Sequence, residues 1–311
     1  MHPVPGIFSL LKTGIDILKL VSGRNRRQEP TPAAPVIVQL ADTVPPQSKH
    51  AVEVAERLRQ LLNLVKQGHP GVTDADFAEY FGHEDLGILE RLLSAAEPPK
   101  FAILDDIADK LGASRGWLKT GKYAPFSDTE SAAHNPREYL ERIRALNPQM
   151  VYMVRSGCDV GYVQIVLKLN RFKFTVFDTL LHVSDSVGAT GTGQLYQFYQ
   201  LIRAMRDGIG GERLQPMIVG RTLEYETYRS LSHGLRYPGV ILERESHFCG
   251  WWDDLTDIYY SYPIADRQYV GYGPAFVKAQ EKIRTHMEHF HAAEATALRE
   301  NAGRRRHSNV H

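Results

Sequence analysis

From His50 to Lys119 apolar residues return every third or fourth position, and from Met150 that period gives way to alternation. A 3.6-residue stripe suits one face of a helix and a two-residue stripe suits one face of a strand, so the change of period constrains the fold more than any other feature. The first part reads as helical. Val54, Leu58, Leu61, Leu62 and Val65 form the stripe of a helix over Val52–Lys66. Gly71-Val72-Thr73 breaks it, with Thr73 as the N-cap of a second helix, Asp74–Phe81, whose Phe77, Ala78 and Phe81 face inward. Gly82 supplies a tight turn. His83–Ala96 forms a third helix on Leu86, Leu89 and Leu93, and Pro98-Pro99 stops it. FAILDDIADKLGASRGWLKTGKYAPF carries the helical part to Phe126.

The second part is mixed. Asn135-Pro136 opens a short helix to Leu146. MVYMVRS, GYVQIVLKLN and RFKFTVFDTLLHVS are β-branched and aromatic and read as strands. Phe172, Phe174 and Val176 share one side, Arg171, Lys173 and Thr175 the other, and Asn170-Arg171 suits a tight hairpin turn. GATGTG, residues 188–193, is expected as a loop before a helix from Gln194 to Asp207. PMIVG is expected as a strand, EYETYRSLSHGL as a helix, GVILE as a strand and Pro274–Leu298 as a closing helix. The tail with Arg304-Arg305-Arg306 is expected to be disordered.

Ahead of both parts, Phe8, Leu11, Ile15 and Leu18 recur at helical spacing before Arg24, Arg26 and Arg27. Such a segment suits packing on this protein or on a second subunit, adsorption to a membrane surface, or disorder. Pro30, Pro32, Pro35, Pro45 and Pro46 then mark a linker. The expected class is therefore α+β and multidomain, an all-α bundle followed by a mixed α/β domain with an antiparallel-rich sheet. The expected boundaries are 1–28 for the amphipathic segment, 29–49 for the Pro-rich linker and 50–126 for the bundle. They continue with 127–135 as a second linker, 136–298 as the α/β domain and 299–311 as a basic tail. The formal net charge of +1 provides no global field for nucleic acid or membrane. Two cysteines, Cys158 and Cys249, exclude a disulfide framework and suit a reducing compartment. No apolar run approaches the ~20 residues that span a bilayer. A cytoplasmic protein is expected.

Ala78 and Gly82, with Phe77 and Phe81 beside them, have the spacing of a helix-turn-helix core. Ile107-Ala108-Asp109-Lys110-Leu111-Gly112 is followed by Trp117-Leu118-Lys119-Thr120-Gly121. Together these stretches resemble the lambda-repressor/Cro-like (XRE) family over residues 50–126, about a quarter of the chain. The resemblance implies a third helix in the DNA major groove. It places His83, Glu84, Asp85, Gly87 and Arg91 as base readers and Thr73 at a phosphate; a DNA-binding reading then takes Lys100, Lys119 and Lys122 as further phosphate contacts. It implies a bacterial or phage-type transcriptional regulator, a homodimer on double-stranded DNA. The residues depart from that pattern in charge. Glu84, Asp85 and Glu90 repel phosphates, and their one good base partner is the cytosine amino group. Residues 50–126 hold nine basic and twelve acidic side chains, a formal charge of −3. Phosphate neutralisation normally supplies much of the affinity for DNA. The alternative is a helix-turn-helix kept as a protein–protein or dimerisation module.

The α/β part offers weaker signals. Trp251, Trp252 and Tyr259 are aromatics suited to a ligand pocket or interface for a small-molecule or protein effector, and Asp178 and His182 alternate onto one side of a strand. GATGTG lacks the lysine of a P-loop. His233, His247 and Cys249 lack paired zinc-ligand spacing. No Gly-Asp-Ser-Met-like stretch marks a self-cleaving domain. No catalytic residue, metal or cofactor is expected, and an enzyme working near Asp178, His182 and the glycine-rich run is the remaining class.

Overall fold

The computed structural model describes residues 48–130, 132–133, 135–177, 179–185, 188–207, 217–245, 248–259 and 273–308. The expected N-terminal segment, nearly all of the Pro-rich linker, Asp178 and His247 lie outside the described residues.

Five helices come first: α1 Lys49–Gly68, α2 Asp74–Tyr80, α3 Leu86–Leu93, α4 Phe101–Leu111 and α5 Arg115–Thr120. Side-chain caps set most of the starts. Ser48, Thr73, Asp85 and Ser114 each accept a first-turn backbone N–H. The Asp85 carboxylate takes the Ile88 N–H at 3.1 Å, so α3 begins later than its stripe suggests and His83 and Glu84 stay in the turn. The α1 stripe is buried throughout. On α3 only Leu89 is buried, and Leu86, expected in the core, is 37% exposed.

The chain continues as β1 Thr129–Glu130, α6 Pro136–Leu146, β2 Met150–Ser156, β3 Val163–Lys168, β4 Phe174–Phe177 and α7 Ala189–Asp207. Then come β5 Met217–Leu223, α8 Tyr225–Ser232, a π-helix Val240–Glu245, β6 Phe248–Cys249, α9 Trp251–Asp254, α10 Pro274–Phe290 and α11 Ala292–Ser308. The strands form one mixed sheet in the order β1-β4-β3-β2-β5-β6. β2–β3, β3–β4 and β5–β6 pair antiparallel, whereas β1–β4 and β2–β5 pair parallel.

Alternation along these strands supplies two cores. Tyr152, Val154, Val166, Phe174 and Val176 share a cluster with Leu58, Phe77, Phe81, Leu104 and Ile107 of the helical part. Val151, Met153, Ile165, Leu167 and Phe177 share another with residues of α6, α7 and α10. The described chain is therefore three layers, helices on both faces of a sheet. At the first junction the Phe172 ring meets Tyr80 edge-on at 4.9 Å, His69 at 5.0 Å and Phe77 at 5.4 Å. Burying a side chain of this size contributes roughly 2–3 kcal/mol. Gly112 ends α4 with φ +65°, and a Cβ there would lie 2.5 Å from the Phe174 carbonyl oxygen. Only glycine permits both that backbone and that approach.

Four expectations are corrected. GVILE forms a π-helix, not a strand: Val240, Ile241 and Leu242 are buried beside α1, and a short apolar run fits either element. GATGTG does not remain a loop. Thr192 donates both its N–H and its hydroxyl to the Gly188 carbonyl, at 2.9 and 3.1 Å, and the run winds into the first turns of α7. The closing helix breaks at His291, whose φ of −137° leaves the helical range and whose ring stacks 4.9 Å from Tyr196. The basic tail continues α11 as helix through Ser308.

Candidate nucleic-acid interface

In the helical layer α3 is turned from the sheet. The end of α1, the inner side of α2 and the end of α4 make the junction with Phe172, Phe174 and Tyr237. α3 packs chiefly on α1 and α2. Glu84, Asp85, Leu86, Glu90 and Arg91 are all exposed. This outward face is acidic and partly apolar.

Its side chains are variously engaged. Thr73 and Asp76 form a reciprocal cap: Thr73 N–H donates to Asp76 Oδ2 at 2.8 Å, and the Thr73 hydroxyl donates to the same oxygen at 2.6 Å. These bonds hold the Asp76 carboxyl below its ordinary pKa. The Thr73 hydroxyl is thus spent on its own helix. Asp74 pairs with Lys66 at 2.8 Å. His83 is half-buried against Phe81, with ring centroids 5.7 Å apart, and burial followed by the nearby Lys110 lowers its pKa. That shift favours the neutral imidazole over a cation that could meet phosphate. Asp85 serves as the α3 cap. Gly87 sits close under Arg91: a Cβ there would lie 3.2 Å from Arg91 Nη1 and 3.0 Å from Asp85 Oδ1. Arg91 Nε also lies 3.4 Å from Glu97, an exposed pair worth little in water.

The three expected phosphate contacts differ. Lys119 binds Asp105 at 2.5 Å and lies 5.5 Å over the Phe101 ring. Lys100 and Lys122 are exposed and form no ion pair among the described residues. Sequence reasoning passed over Phe101 and Tyr123, which are 60% and 83% exposed. The available signal was a lysine immediately before each aromatic.

The expected effector pocket is dispersed. Trp251 is wholly buried and donates its indole N–H to the Arg221 carbonyl at 3.1 Å, so it is core. Trp252 packs half-buried against the same cluster. Tyr259 lines a cleft of about 510 Å³ with Tyr199, Arg203 and Arg206. The cleft's cations are already matched, Arg203 by Glu294 and Arg206 by Asp207 and Asp253. His182 forms a backbone bridge with Tyr162 just before β3, where burial lowers its pKa and Gln194 opposes that shift. Asp178 lies outside the described residues. Among the described residues no group of three or more His, Cys, Asp or Glu side chains is placed to hold a metal, and no helix is long and apolar enough to cross a membrane.

Compared with known protein families, curated proteins and solved structures, the chain matches none.

Proposed function

We propose that this chain is a DNA-binding transcriptional regulator whose helical layer presents α3 to an operator. It would act as a homodimer, with the sheet and the second helical layer sensing a ligand or partner. The observation that carries the reading is the placement of α3. It starts at a side-chain cap after a tight turn, and it stays at the surface while its neighbours dock on the sheet. That arrangement suits insertion into a groove. Arg91 is then the one cationic base reader, and Lys100 and Lys122 are the phosphate contacts.

A second reading has its own observation. The outward face carries Glu84, Asp85 and Glu90 around exposed Leu86, which suits a basic protein partner better than a phosphate backbone. One experiment separates the two. Purified protein is offered a random duplex library at ~50 and ~200 mM salt. The operator reading expects a two-fold symmetric motif whose recovery falls steeply with salt, and Arg91→Ala weakening that motif about tenfold. No enrichment at either salt rejects it and leaves the protein-partner reading.

A further inference from the structure

The charge of −3 on residues 50–126 conceals a strong separation. Arg57 and Lys119 meet where the start of α4 lies against the end of α5, with Lys100 as the residue before α4 and Lys122 two residues past α5. Lys119 lies over the ring of Phe101, and Arg57 donates to the Leu118 and Lys119 carbonyls at 2.9 and 2.8 Å. These are four of the nine basic residues, and Asp105, held by Lys119, is the one acid that contacts them among the described residues. Everything acidic on α3 belongs to the remainder. The same shoulder holds two exposed aromatics, Phe101 directly after Lys100 and Tyr123 directly after Lys122. Tyr123 has φ +67°, an uncommon backbone for a residue with a Cβ, and the residue is 83% exposed. Exposed rings interleaved with lysines are the chemistry of a single nucleic-acid strand, where bases stack and phosphates meet cations.

We propose that this α4–α5 shoulder is a docking surface for single-stranded nucleic acid, with bases on Phe101 and Tyr123 and phosphates on Lys100 and Lys122. The surface does not use α3 or Arg91, but it shares Lys100 and Lys122 with the operator reading, and Phe101 and Tyr123 are what set it apart. Lys119 lies against the Phe101 ring, while Arg57 fixes the end of α5, which Lys122 and Tyr123 follow.

The test is fluorescence anisotropy of a labelled oligothymidylate of ~20 nucleotides and of a duplex of equal length, at ~50 and ~200 mM salt. The full chain is compared with Lys100→Glu/Lys122→Glu, Phe101→Ala, Tyr123→Gly and Arg91→Ala. The four shoulder positions are exposed, and glycine suits the backbone at Tyr123, so folding should persist; circular dichroism checks it. Tighter binding of the single strand than of the duplex is expected. The double charge reversal should weaken it at least ~10-fold and flatten its salt dependence. Each aromatic substitution should weaken it roughly tenfold with the salt dependence unchanged. Arg91→Ala should leave it as it was. No binding of the single strand, or shoulder variants that bind like the parent, would overturn the proposal. Aromatic variants that behave like the parent would also overturn it, because stacking is what selects a single strand. Operator recognition fails by a different result, the empty duplex selection, so the two ideas can fall separately.

Discussion

Tyr237 is the side chain on which the helical layer and the sheet close. Its hydroxyl carries one proton, donated to the Phe172 carbonyl at 2.9 Å, so His69 Nε2 at 3.0 Å must be the donor of the second bond. Burial holds the phenol far above its ordinary pKa, with Glu243 adding to the shift. Tyr237→Phe would strand the buried Phe172 carbonyl and the half-buried His69 and should destabilise the fold by about 1–3 kcal/mol. A urea titration would read this as a lower midpoint at unchanged slope. His69 adds a pH dependence. Burial, then Lys168 and Arg171, lower its pKa, while Glu243 acts the other way. The folded state therefore binds the proton less readily than the unfolded chain. Its contribution is fully present above the ordinary histidine pKa and is lost as pH falls below it. Stability should decline from pH 7.5 to 5.5, and His69→Gln should decline less over the same interval; an equal decline would assign the effect to His83, His182 or His286, whose pKa values burial also lowers.

Among the elements, α3 begins on a single carboxylate cap. Asp85→Ala removes the carboxylate that holds the Ile88 N–H and should destabilise by about 1 kcal/mol, read by thermal melting. Gly112→Ala acts at the junction, since its Cβ would press on the Phe174 carbonyl in a left-handed backbone. A cost of about 2–4 kcal/mol is expected, because neither strand nor helix end can yield cheaply. Helix α1, the helix–turn–α2 corner and α6 were legible in the sequence, because stripes such as Val54–Leu58–Leu61 and caps such as Thr73 and Asn135 are local. The hairpin at Asn170 was legible too: its Oδ1 accepts the Phe172 and Lys173 N–H groups. The π-helix was not, since Val240–Leu242 owes its shape to burial against α1 rather than to any period of its own. Nor could the sequence show which candidate readers were already engaged. The pairing of Lys119 with Asp105 joins residues on different helices, and a Cβ at Gly87 would crowd both Asp85 Oδ1 and Arg91 Nη1.

For the whole molecule, one core runs through the helical layer and the sheet. Urea or heat should unfold the two in a single transition, and far-ultraviolet and tyrosine signals should coincide. Residues 48–126 expressed alone would expose Phe77, Phe81, Leu111 and Phe126 and should lack a cooperative transition. A separate low-temperature melt of the helical layer would contradict this. The polar ties point the same way. Lys168 bridges Glu243, Arg244 donates to the Gln67 carbonyl, and Lys173 holds Asp109 at 2.9 Å, so charged side chains stitch the rim around the apolar junction.

The junction at Phe172 also bears on inheritance and engineering. Because Tyr80, Phe77 and His69 close on that one ring, the helical layer is not a cassette to be lifted onto another sheet, nor can a foreign reader be grafted here by matching loops alone. A change of size at Phe172 needs an answering change across the seam. The two halves of this chain should therefore drift in step, and a chimera that ignores the seam should be insoluble before its binding can be asked about.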